Sequence, residues 1–267
     1  MSFVKTYDEI LEHVKESADF YYAEMLTLIW ETEPEAIKRL LPPLLKPAEI
    51  PGVVAFLANY PSTNFSLPYL ESALLIRASF EGQEGFYCLS MPVTSDMGMA
   101  GGRESWCYPR KMADIAFQRD GDRAEDWTER HGIRFMQVKA KLTGKINDNS
   151  AMDDLLHFSL NPEGECIYFG FTFKHAPSPV AGEAFEYPPC LIQGETVFRP
   201  KMFTFTEVEI EVTPSEFDPW HEVPVKRMLG GFYSVGDNSM LKGKVLAEVD
   251  PIEFAPYAFL RWDWVRS

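Results

Sequence analysis

Between Met202 and Val212 polar and apolar residues alternate. Glu207, Glu209 and Glu211 fall on one side of an extended chain, and Val208, Ile210 and Val212 on the other. That pattern predicts a strand with one solvated face, and the acidic row reads as sheet surface rather than as a metal site. Apolar runs over Tyr69 to Phe80, Phe86 to Val93, Ile133 to Leu142 and Cys166 to Phe173 predict further strands. Short turns of Gly, Pro, Asn and Asp separate them, so the sheets are expected to be antiparallel and numerous enough for a barrel or a sandwich. Helical signals are few. Thr32-Glu33-Pro34-Glu35 has the form of a capping box, with Thr32 as N-cap, Glu35 reaching back and Pro34 in the first turn. Ile37, Leu40 and Leu41 follow at helical spacing until Pro42-Pro43 ends the run. A second helix is expected from Asn149-Ser150, with Met152, Leu155 and Leu156 on one face, and a third from Asp8 to about Ser17. No nucleotide-binding glycine motif, repeat or flexible linker is visible, so residues 1–267 are expected to form a single domain.

Composition narrows the function classes. With 25 Lys+Arg against 40 Asp+Glu, the formal net charge is -15, and the basic residues are scattered. Such a surface repels phosphate backbones, so nucleic acid is not an expected partner. The cysteines, Cys88, Cys107, Cys166 and Cys190, form no CxxC pair, and the five histidines have no metal-ligand spacing. Reduced, mostly buried thiols and no metal are expected. No apolar stretch approaches the roughly 20 residues of a spanning helix, and the N-terminus lacks the apolar core of a signal peptide. A cytoplasmic protein with no membrane partner is the expectation.

The candidate chemistry lies in Gly101-Gly102-Arg103-Glu104-Ser105-Trp106-Cys107-Tyr108-Pro109-Arg110-Lys111-Met112. Taken alone it reads as a glycine-rich turn, a salt bridge and two surface cations. Gly-Arg-Glu followed by a short spacer and Tyr-Pro with two cations nevertheless resembles the signature of the acetoacetate decarboxylase family. The Glu71 strand, the segment Pro34 to Leu41, Val223-Pro224-Val225-Lys226 and the stretch Leu246 to Ile252 resemble other parts of that family in the same order.

The resemblance implies an α+β chain, mainly antiparallel β: a cone-shaped barrel with a few flanking helices and an internal pocket. It also implies a carbon–carbon lyase acting on a small β-keto acid through a lysine Schiff base, with no cofactor, in a homo-oligomer. In the family the first lysine after Tyr-Pro is the attacking amine, made neutral by an apolar site or a neighbouring cation. Here that position is Arg110, and arginine is no amine nucleophile. The family's second lysine aligns with Lys111. A family arginine falls at about Ala23 and a family glutamate at about Phe56.

Strand parity sets Tyr108, Arg110 and Met112 on one side and Lys111 on the other, unless a bulge at Pro109 turns Lys111 inward. With such a bulge, Lys111 is the expected nucleophile and Glu71, beside Ala73 and Leu75 on an apolar face, its proton or orientation partner. On the regular parity Arg110 occupies the pocket, where it can clamp a carboxylate but not form an imine, with Tyr108, Arg103 and Glu104 as further substrate-binding residues. Without the bulge, the alternative is a repurposed barrel that binds a small acid or apolar ligand without turnover.

Overall fold

The computed structural model describes residues 2–13, 16–50, 52–151 and 163–263. Ten strands carry the architecture: β1 (Ser17–Glu31), β2 (Val53–Tyr60), β3 (Tyr69–Phe80), β4 (Gln83–Val93), β5 (Arg110–Met112), β6 (Arg123–Arg130), β7 (Ile133–Lys141), β8 (Cys166–Lys174), β9 (Cys190–Val212) and β10 (Arg227–Leu241). Shorter strands pair onto their margins. Among the described residues the helices are α1 (Tyr7–His13), α2 (Pro34–Leu40), α3 (Asp96–Trp106) and the short α4 (Pro251–Phe254).

Seven strands close on themselves in the order β8-β4-β3-β2-β1-β10-β9, and β9 returns to β8. All these pairings are antiparallel except β8 with β4, which makes this a closed mixed barrel. β9 is long enough to serve two partners on one flank. Its first half pairs with β8, and its second half leaves the ring to pair with β7, which continues to β6. Pairing with β8 ends at Phe198 and pairing with β7 begins at Glu207; between them the ladder of β9 with β10 shifts register at Pro200/Met202, where a proline lacks the ladder N–H.

β2 is buried on both faces, and its alternation divides two cores. Val53, Ala55 and Leu57 join an outer core with Leu26, Leu28, Trp30, Leu74 and Ile76. Val54, Phe56 and Ala58 point the other way, into the barrel, as do Ala23, Ala73 and Met91. β9 does present Glu207, Glu209 and Glu211 outward, opposite Lys141, Lys139 and Gln137 of β7. The acidic row is therefore sheet surface with lysines across from two of its members.

Several sequence expectations are corrected. The capping box is displaced by one residue: Glu33 is the N-cap of α2, with no side-chain cap, and the Thr32 hydroxyl is buried without a hydrogen-bond partner. The N-terminal helix stops at His13, and Ser17 already belongs to β1. Of the helix expected after Asn149, only a turn of 3₁₀ helix over Asn149–Ala151 is described; Met152, Leu155 and Leu156 lie outside the described residues. The glycine-rich segment is no turn but the C-terminal half of α3. Ser95 caps that helix by accepting from the Gly98 N–H, and Cys107 ends it in the left-handed region at φ 55. Leu246 to Ile252 is divided between a short strand, Lys244–Glu248, and α4. No helix among the described residues is long and apolar enough to cross a membrane.

Candidate active site

α3 and β5 together build the site. β5 lies parallel to β4 with Met91 opposite Arg110, Pro92 opposite Lys111 and Val93 opposite Met112, and no register shift interrupts the run. Alternation then decides where each side chain goes. Arg110 enters the barrel and is 4% exposed. Lys111 points to the opposite side. The bulge that would have turned Lys111 inward is not formed.

Inside the barrel the Arg110 Nη2 stands 2.9 Å from Glu71 Oε2, and both side chains are almost fully buried. The guanidinium also donates from Nη1 to the Gly98 carbonyl and from Nε to Met91 Sδ at 3.3 Å. The guanidinium is thus held within the protein by its Met91 and Gly98 hydrogen bonds, by the Glu71 ion pair and by a hydrogen bond with Tyr69. Tyr69 donates its hydroxyl to Glu71 Oε2 at 3.4 Å, and the Tyr108 ring lies 5.8 Å below the guanidinium carbon. Burial pushes the Glu71 carboxyl up from its ordinary value, while Arg110, Tyr69 and Tyr60 pull against that shift. Burial is the largest single influence on Arg110 and would lower it, but the Glu71 carboxylate together with Tyr69, Tyr60 and Tyr108 outweighs it and the guanidinium stays firmly protonated.

Room for Arg110 comes from a missing side chain. A Cβ at Gly102 would stand 2.5 Å from Arg110 Cδ, 2.6 Å from Nε and 2.7 Å from Cζ. The motif's second glycine is thus a space requirement, set one helix over from the arginine it admits.

Around this pair the interior forms two adjoining cavities. The inner one, of about 70 Å³, is lined by Glu71, Arg110, Tyr108, Tyr168, Thr196 and Asn238 together with apolar residues including Phe20, Phe56 and Met91. The outer one, of about 400 Å³, shares Met25, Phe56, Leu75, Phe86 and Tyr168 with it and adds mostly aromatic and aliphatic side chains. Among the described residues no lysine lines either cavity.

The other residues expected at the site are elsewhere. Lys111 donates to the Phe217 carbonyl at 2.7 Å and to Asp263 Oδ1 at 2.8 Å, with Asp218 Oδ1 at 3.7 Å. Arg130 bridges the same two aspartates at 2.7 Å each, and His131 Nε2 lies 3.0 Å from Asp263. Burial alone would raise Asp263, but hydrogen bonds from Arg130, Lys111 and His131 hold it well below the usual carboxylate range. Lys111 is thus a clasp on the C-terminal segment. Arg103 does not pair with Glu104 either. It donates from Nε to the Arg110 carbonyl at 2.6 Å and from Nη2 to the Arg261 carbonyl at 2.9 Å, fixing β5 from behind. Glu104 is exposed and lines neither cavity. Ala23 is fully buried in the apolar cluster with Phe56, so those two positions bring no charge to the interior.

Asn238, Tyr168 and Thr196 were not singled out from sequence. They sit on strands whose other inward residues are mostly apolar, and nothing local marks them. Their significance is visible only once the ring closes.

The acetoacetate decarboxylase family model matches residues 11–249. The chain belongs to the acetoacetate decarboxylase family. Among curated relatives, acetoacetate decarboxylase 1 of Bradyrhizobium diazoefficiens is 32% identical over 103 residues, 39% of this chain and 41% of that one. The acetoacetate decarboxylase of Chromobacterium violaceum is 36% identical over 92 residues, 34% of this chain and 37% of that one. These alignments span about two fifths of the curated relatives' own length. The acetoacetate decarboxylase crystal structure from Legionella pneumophila superposes with a TM-score of 0.74 at 20% identity, covering 88% of this chain and 90% of that one. The enduracididine biosynthesis enzyme MppR, complexed with pyruvate, gives 0.70 at 15% identity, covering 88% and 92%. At such identities the solved structures establish the family's barrel and nothing finer. Within it, this family member has an arginine, Arg110, directly after Tyr108-Pro109.

Proposed function

We propose that this chain is an acetoacetate decarboxylase-like enzyme that handles a keto acid or related small carboxylate without forming a lysine imine. The observation that carries this reading is Arg110. It takes the inward position of the motif beside Glu71, while Lys111 is turned away and held by Asp263 and the Phe217 carbonyl.

The chemistry open to the pair is oxyanion stabilisation with proton transfer. A β-keto acid whose ketone oxygen accepts from the Arg110 guanidinium can break the bond between its carboxyl carbon and its α-carbon. CO2 leaves, and the electron pair moves onto the ketone oxygen as an enolate, which the fixed guanidinium stabilises. Glu71, a carboxylate paired with Arg110 in the free site, takes up a proton once the ligand displaces it from the guanidinium, because burial then acts on it without its cation, and it returns that proton to the α-carbon. Turnover requires the ligand to compete with Glu71 for Arg110. Because the guanidinium is already held by Met91, Gly98, Glu71 and Tyr69, binding without turnover is the second reading.

Borohydride trapping with a panel of β-keto acids, followed by peptide mass spectrometry and run beside a CO2-release assay, tests both. The expected result is no substrate-dependent adduct on any lysine. CO2 release without an adduct supports the imine-free enzyme, and ligand binding without CO2 release supports the second reading. A substrate-dependent adduct on Lys111 would overturn the proposal.

A further inference from the structure

The cavity is mismatched to a four-carbon acid. Its inner part, where Arg110 and Glu71 sit, holds about 70 Å³, yet the adjoining outer part holds about 400 Å³. The outer walls are Met25, Val54, Leu75 and a set of phenylalanines, with Thr27 and Ser234 among the few polar members. Phe203 stacks on Phe232 with centroids 5.0 Å apart and meets Phe205 edge to face at 5.1 Å. Phe203 is 46% exposed, so this aromatic group stands at a mouth open to solvent. A small acid at Arg110 would leave that chamber without apolar contacts, whereas a hydrocarbon body would fill it.

A second observation comes from the boundary between the two spaces. Asn238 is 5% exposed and lines the inner cavity, and its Oδ1 has no hydrogen-bond partner. Its neighbour Tyr168 is pushed up to about 12 by burial, with Thr196 and Asn238 hydrogen bonding to it and pulling the other way. A buried carbonyl acceptor left open beside an ion pair is stabilised when a ligand brings it a hydroxyl or enol O–H.

We propose that the ligand of this site is a carboxylic or 3-oxo acid with a hydrocarbon body well beyond four carbons. Its tail occupies the phenylalanine-lined chamber, and its polar head lies against Arg110, Glu71 and Asn238. Asn238 is a specificity-determining residue for a head group that carries a donor. The placement of the head rests on the reading of Arg110 given above; the tail does not.

The test is calorimetric titration of the full chain with unbranched carboxylates from four to twelve carbons below their micelle concentrations, with the matching alcohols alongside. Each methylene entering the chamber is expected to tighten binding about three- to fourfold, and the ten-carbon acid to bind at least about a hundredfold tighter than the four-carbon acid. Val54→Trp, which fills the chamber away from the ion pair, should weaken the long acids and spare the short ones. A series flat in chain length overturns the tail assignment and leaves the head assignment standing. Alcohols as tight as acids overturn the head assignment and leave the tail standing. No binding of any member overturns both. Asn238→Leu is expected to weaken 3-hydroxy acids about tenfold or more relative to unsubstituted acids; an equal effect on both removes the specificity role.

Discussion

Removing Arg110 alone exposes what the buried pair contributes. In Arg110→Met the Glu71 carboxyl, 2% exposed, loses the cation that stood 2.9 Å away. Leaving one member of a buried pair uncompensated costs about 3–5 kcal/mol. At about 2–4 °C per kcal/mol for a chain of this size, Tm should fall on the order of 6–20 °C. Glu71 escapes part of this by taking up a proton, because burial already raises its pKa. The sign of the pH dependence follows. A carboxyl that binds its proton more tightly folded than unfolded contributes stability fully present below its unfolded pKa and lost as pH rises through the raised folded value. The single variant should therefore lose stability relative to wild type from mildly acidic toward alkaline pH. In the double variant Glu71→Leu, Arg110→Met neither charge remains, and stability should return to within about 1 kcal/mol of wild type. Urea unfolding followed by tryptophan fluorescence over a pH series measures all four members of the cycle. A loss below about 1 kcal/mol in the single variant, or losses that add in the double, would refute the buried pair and the site built on it.

Gly102→Ala should destabilise by about 1–3 kcal/mol, because its Cβ meets the Arg110 stem at 2.5–2.7 Å, and the same substitution in Arg110→Ala should have a smaller effect in a thermal melt. Arg110→Lys places an amine where the family has one, and borohydride trapping with acetoacetate should then label position 110; absence of a label at every pH would mean that Glu71 keeps that amine protonated. Asp263 lies below its unfolded pKa, so its contribution is present above that value and is lost as pH falls below about 4. The stability difference between wild type and Asp263→Asn should shrink over that range in acid titration, and a constant difference would contradict the clasp formed with Lys111 and Arg130.

Strands with unbroken apolar runs were legible from sequence. Tyr69–Phe80 is bounded as expected, and Ile133–Lys141 and Cys166–Lys174 differ by a residue at one end. β1 was not legible, because Tyr22 adopts φ 54 at a bulge and Glu24 and Thr27 interrupt its apolar pattern. α3 was hidden by its own composition. Gly98, Gly101 and Gly102 read as turn residues, yet Gly98 lies against the Tyr69 ring and Gly102 gives way to Arg110, so tertiary packing overrides propensity. The motif supplied the family and its parity the facing of Arg110. The separation of Arg110 from Lys111 could be read only conditionally, because a single inserted residue at Pro109 would have reversed it. Arg103 and Glu104 look paired in sequence but lie on a helix, where adjacent side chains diverge.

The gap left by Gly102 has a further meaning for how such a site changes its chemistry. A long cationic side chain at position 110 threads past a helix that offers no Cβ there, so lysine and arginine stems can both enter by the same route. Exchanging one for the other alters what sits at the end of the stem while the strand register and the barrel wall stay as they are. A member of this family can thus trade a nucleophile for a fixed cation by one substitution, without first paying in stability for a rearranged backbone.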